Sequence, residues 1–285
     1  MDSCLTIIPS REDAQLDGIE YEDYLRLFFE ACDQPWEEIK VAQTKLIEKF
    51  NKAKEVKITN DDGTDLIMSI KDMTFFNSTT SANIPGSEIF SAPIKDSVNG
   101  KLVAKGKFKE GSYGVIEDIE LEFRGGKVVD FNARVGKDIL ETILDLDKDN
   151  GEGSRFIGEL GIGTNPHLTQ HLINGLLVEK IAGSFHLALG NSLHCTLGDD
   201  ARLANVNNGN VSHSNVHWDI TTLLRGKNGK MILDGQVIQD NGLWVDENSN
   251  PDSELAVLNY GWDAIEESKR PSWWVEYKTR QQQAS

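Results

Sequence analysis

The feature that most restricts this chain is a change of hydrophobic period near residue 55. Beyond that point Val56 and Ile58, then Leu66, Met68 and Ile70, alternate with polar neighbours around Asp62-Gly63. A period of two interrupted by Asp-Gly specifies a β-hairpin. Asn99-Gly100 predicts a second turn, and Gly125-Gly126 a third, between YGVIEDIELEFR and KVVDFNAR. Asp234-Gly235 predicts a further hairpin within MILDGQVIQDNGLWV, residues 231–245. Before the change the spacing is helical. Leu25, Leu27, Phe28, Phe29 and Cys32 form one apolar cluster. Pro35 then starts a second helix to about Ala53, with Ile39, Ala42, Leu46, Ile47 and Phe50 on its buried stripe.

Residues 136–147 (GKDILETILDLD) predict another amphipathic helix. Hairpins mixed with separate helices place the chain in the α+β class, a mainly antiparallel sheet domain with flanking helices. No GxGxxG, P-loop or internal repeat is present. The expected organisation is a helical segment over 1–55 packed on a main domain over 56–245, then an extension over 246–285. In that extension ENSNPDS reads as a linker, LAVLNYGWDAIEESK as a helix, and Trp273-Trp274 as a pair that docks on the chain's own core.

Composition removes several functions. The net charge of −17 argues against nucleic-acid or anionic-membrane partners, which need clustered Lys and Arg. No segment reaches the length of a membrane span, and the start, MDSCLTIIPSRED, lacks the marks of a secretory signal. Cys4, Cys32 and Cys195 contain no CxxC and leave one thiol over in any disulfide scheme. The expected setting is a reducing, cytoplasmic one.

The chemistry is concentrated. All six histidines lie between His167 and His217. In the strand-like VHWDI, His217 and Asp219 point to one face, because residues i and i+2 of a strand do so. His186 lies in a second strand-like run, SFHLALG, and Glu159 interrupts the apolar, glycine-rich FIGELGIG. A carboxylate in a buried run must be paired or bound to a cation. Glu88, in NIPGSEIFSAP, is a further candidate. Two imidazoles with three carboxylates suit two adjacent divalent ions, with zinc, cobalt or manganese as the expected metals. His167 and His171 stand four apart without the glutamate of a zincin motif, and a helix-capping or surface role is expected. His213 is expected in a loop lining the site.

NIPGSEIFSAP, Gly-Glu followed by LGIGTNP, EKIAGSFHLALG and SNVHWD occur in that order and together resemble the aminopeptidase T family of metallopeptidases. The resemblance spans roughly residues 1–245. It implies an enzyme with a dinuclear metal site that removes N-terminal residues from peptides. It also implies Glu88, Glu159, His186, His217 and Asp219 as the metal ligands, and a possible homodimer. Glu159 is expected as general base or bridging ligand, with Glu88 as the alternative base. The family's active enzymes carry a tyrosine seven residues after the first ligand histidine. Here Leu193 occupies that position, and the adjacent His194 is the candidate replacement donor. The resemblance also implies an additional N-terminal α/β domain, which this chain is expected to lack, Met1 falling near where that domain would end.

Two other readings compete. His186, His217 and Asp219 alone form the two-histidine, one-carboxylate set of mononuclear non-haem iron oxygenases, and a ring-cleaving dihydroxypyridine dioxygenase is similar to this family at the level of fold. A non-catalytic relative that keeps its metal and acts through residues 246–285 is the third.

Overall fold

A computed structural model describes residues 4–111, 113–192, 214 and 216–284. In chain order the strands are β1 (Leu5–Thr6), β2 (Glu55–Thr59), β3 (Asp65–Ser69), β4 (Phe76–Ser78), β5 (Asn83–Ile84), β6 (Glu88–Ser91), β7 (Asn99–Glu110), β8 (Gly114–Arg124), β9 (Lys127–Val135), β10 (Ile157–Gly163), β11 (Ser184–Gly190), β12 (His217–Leu223), β13 (Lys230–Leu233), β14 (Gln236–Asp240) and β15 (Leu243–Trp244). The helices are α1 (Arg11–Asp17), α2 (Tyr21–Cys32), α3 (Trp36–Lys52), α4 (Lys137–Leu144), α5 (Gly175–Val178), α6 (Ala256–Tyr260) and α7 (Ser272–Ala284).

An eight-stranded sheet runs β15-β14-β13-β2-β3-β7-β8-β9, and a five-stranded sheet runs β12-β11-β10-β6-β4. Every pairing in both is antiparallel, as the hairpin signals predict. One apolar cluster joins them. Val56, Ile58, Leu66, Met68 and Ile70 from the large sheet belong to the same core as Leu160, Ile162, Phe185, Leu187 and Ile220 from the small one. Ile39, Ala42, Leu46 and Phe50 of α3 enter this core too. A second cluster, built from Ala14, Tyr24, Phe28, Ala31, Leu168, Leu172, Leu177, Val178 and Ile181, ties α1 and α2 to the segment around α5.

Several local expectations shift. Pro35 stands just before α3 as its cap residue, one position outside the helix. Phe29 is 63% exposed while Phe28 is buried, because a helix presents successive residues about 100° apart and only one stripe faces the core. Asn99-Gly100 is not a turn: the pair opens β7, opposite Ile67 and Leu66 of β3. Gly100 has φ 107°, and a Cβ there would lie 2.1 Å from the Asp65 carbonyl oxygen, so close strand approach requires the glycine. The Asn99 side chain instead accepts from the Gly125 amide at 2.9 Å, closing the β8–β9 turn.

The C-terminal aromatics dock on the chain itself. Trp274 is buried, stacks on Tyr277 and meets Trp273 edge-on, while the Trp273 indole donates to Asp33 at 2.6 Å. The segment LAVLNYGWDAIEESK forms only the short α6 followed by 3₁₀ turns.

Candidate metal centre

The five-stranded sheet has two chemically different faces. Leu160, Ile162, Phe185, Leu187, Leu189, Trp218 and Ile220 point into the core. The alternate residues form the opposite face, and their register brings the candidate ligands into adjacent rows. Glu159 pairs with Ala188, which pairs with Asp219; Gly161 pairs with His186; Gly163 pairs with Glu88; Gly190 pairs with His217. Cross-strand partners share a face. Small residues therefore alternate with large polar ones, which leaves room for the polar side chains to converge. Gly161 shows the constraint most sharply: a Cβ there would lie 1.9 Å from His186 Nε2.

Glu88, Glu159 and His186 bring three donor atoms within 4.8 Å of one another, and Glu159, His217 and Asp219 do the same. His186 Nε2 lies 3.4 Å from Glu88 Oε2 and 3.5 Å from Glu159 Oε1. His217 Nε2 lies 3.6 Å from Glu159 Oε2 and 3.7 Å from Asp219 Oδ2. The two Glu159 oxygens thus face different histidines. Asp219 Oδ1 reaches back to within 3.9 Å of His186. The Asn191 carbonyl lies 2.7 Å from His217 Nδ1, which fixes the ring and leaves Nε2 directed at the acids.

These residues fit a metal. Glu88 Oε2, Glu159 Oε2, His186 Nε2 and Asp219 Oδ1 are buried without a hydrogen-bond partner. Buried polar atoms are nearly always satisfied, and four orphans within these two adjoining groups match the donors of a cation site. Oxygen and imidazole donors suit a divalent transition ion.

Two further charges complete the cluster, and both escape a reading of the sequence. Lys180 is fully buried, with Nζ 2.6 Å from Glu88 Oε1 and 2.8 Å from Glu179 Oε2. Burial raises the Glu88 carboxyl, against the pull of Lys180 and His186. Glu179 is also desolvated, yet Lys180 holds it below the usual carboxylate range. Burial, reinforced by Glu179, pushes Asp219 up to about 7. Burial disfavours charge on His186, but Glu159, Asp219, Glu88 and Glu179 outweigh it and raise it to about 9. The trace of Lys180 in the sequence is a Glu-Lys pair set between apolar and small residues in VEKIAGSF.

Among the described residues, His167 and His171 stand apart from this cluster. His167 and His171 lie in a loop, half-buried with their rings turned inward, contrary to a helix-capping or surface role. His167 Nε2 sits 3.1 Å from Glu30 beneath Trp273, Trp274 and Tyr277 of α7, and His171 meets Phe108 edge-on. Burial lowers both to about 4. Leu193, His194, Cys195 and His213 lie outside the described residues.

An antiparallel α+β domain with imidazoles and acids gathered, largely buried, on the polar face of a sheet defines a metal-binding protein. Residues 2–236 match the thermophilic metalloprotease (M29) family, and the chain belongs to it. Aminopeptidase 2 of Geobacillus stearothermophilus is 36% identical over 143 residues, which are 48% of this chain and 33% of that protein. Aminopeptidase T of Thermus aquaticus is 30% identical over 146 residues, 48% of this chain and 34% of that protein. The chain thus matches about a third of the length of these curated relatives. Two solved structures share the fold. Wild-type AmpT from Thermus thermophilus has a TM-score of 0.65 at 22% identity, covering 81% of this chain and 61% of that one. A 2,5-dihydroxypyridine dioxygenase from Pseudomonas putida KT2440 has a TM-score of 0.58 at 16% identity, covering 87% of this chain and 71% of that one.

Proposed function

We propose that this chain is a metal-dependent aminopeptidase that releases N-terminal residues from peptides at a site holding two divalent ions. The observation that carries the reading is the split of Glu159, with Oε1 toward His186 and Oε2 toward His217. Glu88 and His186 would complete one metal position, and His217 and Asp219 the other. A mononuclear oxygenase site needs neither Glu88 nor a carboxylate shared between positions. When bound, such ions polarise a carbonyl oxygen and lower the pKa of a bound water.

The residues of the chain supply the rest. Glu159 would either serve both metal positions, one oxygen toward each, or take the nucleophile's proton as general base, with Glu88 as the alternative base. Lys180 locks the other oxygen of Glu88, so its free oxygen stays directed at His186. Glu88, Glu159, Glu179 and Asp219 carry four negative charges and Lys180 one positive, a sum of −3 with neutral imidazoles. One divalent ion leaves −1 and two leave +1; the second value favours an anionic nucleophile. Glu179, beside Asp219 at the mouth, is placed to receive the ammonium group that distinguishes a peptide's N-terminus. His194, next to Leu193 at the family's tyrosine position, is proposed as the donor to the substrate carbonyl. Zinc, cobalt and manganese all suit the donor set. The leftover cysteine supports a cytoplasmic setting, and exposed Leu5, Ile8 and Ile84 support pairing of two copies.

The test is turnover of an aminoacyl anilide by the metal-loaded chain and by Glu159→Gln. The substitution is expected to lower kcat by about 10²–10⁴-fold with the fold intact, the usual contribution of a positioned base. Unchanged turnover would sink the assignment.

A further inference from the structure

A pocket of about 170 Å³ opens beside the metal centre, lined by Lys107, Phe108 and Lys109 of β7, by Leu172, Ile173, Gly175, Val178 and Glu179, and by His217 and Asp219. Its lining carries both signs of charge. Glu179 and Asp219 are its acids, and Lys107 and Lys109, from β7, its bases. In a chain of net charge −17, two lysines among the lining residues of an acidic site stand out. Alternation along β7 puts both lysines on the same side of the strand, with Phe108 turned into the core between them.

We propose that this pocket selects short peptides with a free C-terminal carboxylate, the ammonium end held at Glu179 and the carboxylate end at Lys107 and Lys109. The inference rests on the aminopeptidase reading and names its substrate class. Size supports it: the pocket is smaller than the roughly 300–1,000 Å³ of sites that take drug-sized ligands, and suits a substrate of a few residues. The partners of the lysines leave them available. Lys107 donates to the Leu16 carbonyl at 2.5 Å, which occupies one of its three hydrogens and fixes the side chain against α1. Lys109 lies 3.7 Å from Glu12, and Glu12 is 74% exposed, so the pair is weak and readily exchanged for a substrate carboxylate. The peptide's two charges would then match the acids and the lysines, and a C-terminal amide would match the acids alone.

Binding tests this without requiring turnover. The metal-loaded full chain is titrated calorimetrically with a non-hydrolysable ketomethylene dipeptide isostere, as the free acid and as the C-terminal amide. The acid should bind roughly ten- to a hundredfold more tightly, as loss of a charge-assisted contact implies. Lys107→Gln with Lys109→Gln should bring the two affinities together, and the exposed Lys109→Gln alone should narrow the gap with the fold undisturbed. Equal affinities for acid and amide, or a preference that survives the double substitution, overturn the proposal. The two readings fail separately: a chain that cleaves aminoacyl anilides but binds acid and amide alike loses only the substrate class. One that prefers the acid but cleaves nothing loses only the hydrolase.

Discussion

Lys180 is the residue on which the site's electrostatics turn. Its ammonium group, wholly buried, meets Glu88 and Glu179, and removing one partner of a buried ion pair leaves the other charge uncompensated. Lys180→Met keeps much of the volume and discards the charge. It should lower stability by about 3–5 kcal/mol in urea denaturation, and an effect under about 1 kcal/mol would contradict the role given to Lys180. Gly161→Ala tests space instead of charge. The new methyl group would occupy the position of the His186 ring, so the imidazole must move and metal affinity should fall by about ten- to a hundredfold, read by competition with a chelator. Unaltered affinity would show that His186 is free to move. His186, His217 and Asp219 are legible in the sequence because each is a polar residue in a strand-like run, and Glu159 because it interrupts an apolar one, whereas Glu88 stands out only through the resemblance of its NIPGSEIFSAP motif. Lys180 and Glu179 are not legible, since adjacent Glu-Lys is also the commonest pattern of a solvated surface, and only the fold buries it.

At the scale of elements, α7 is held through His167. Its imidazole is buried between Glu30 and three aromatic rings of the helix, and burial lowers it from 6.5 to about 4. The sign follows from proton counting. Between pH 6.5 and 4 the unfolded imidazole is protonated and the buried one is not, so the unfolded state binds more protons and stability falls as pH falls. His167→Gln keeps a donor for Glu30 but does not titrate. Its stability relative to the native chain should improve progressively across that window, by up to about 3 kcal/mol at the acid end. A difference independent of pH would show that His167 is not buried neutral. Strand elements with their own turns, such as β2–β3 around Asp62-Gly63, are legible because the signal is local. Asn99-Gly100 carries an equally strong local signal and misleads, since pairing of β7 with β3 overrides it. His167 misleads for a related reason: the helix that covers it lies about a hundred residues further along the chain.

At the scale of the molecule, the antiparallel α+β class is readable from hairpins alone, whereas the division into an eight-stranded and a five-stranded sheet is not. That division depends on long-range pairings such as Val56 with Leu233, which no local pattern encodes. It has a functional consequence. The shared core absorbs one face of the small sheet and leaves the other to Glu88, Glu159, His186, His217 and Asp219, whose three carboxylates repel one another unless positive charge offsets them. The decisive measurement is the metal content of the purified full chain after reconstitution with zinc or cobalt, by elemental analysis against protein concentration. The account predicts two ions per chain, reduced by Glu159→Gln because that residue serves both positions. One ion per chain would contradict the dinuclear site, and none would contradict the assignment of this face as a metal centre.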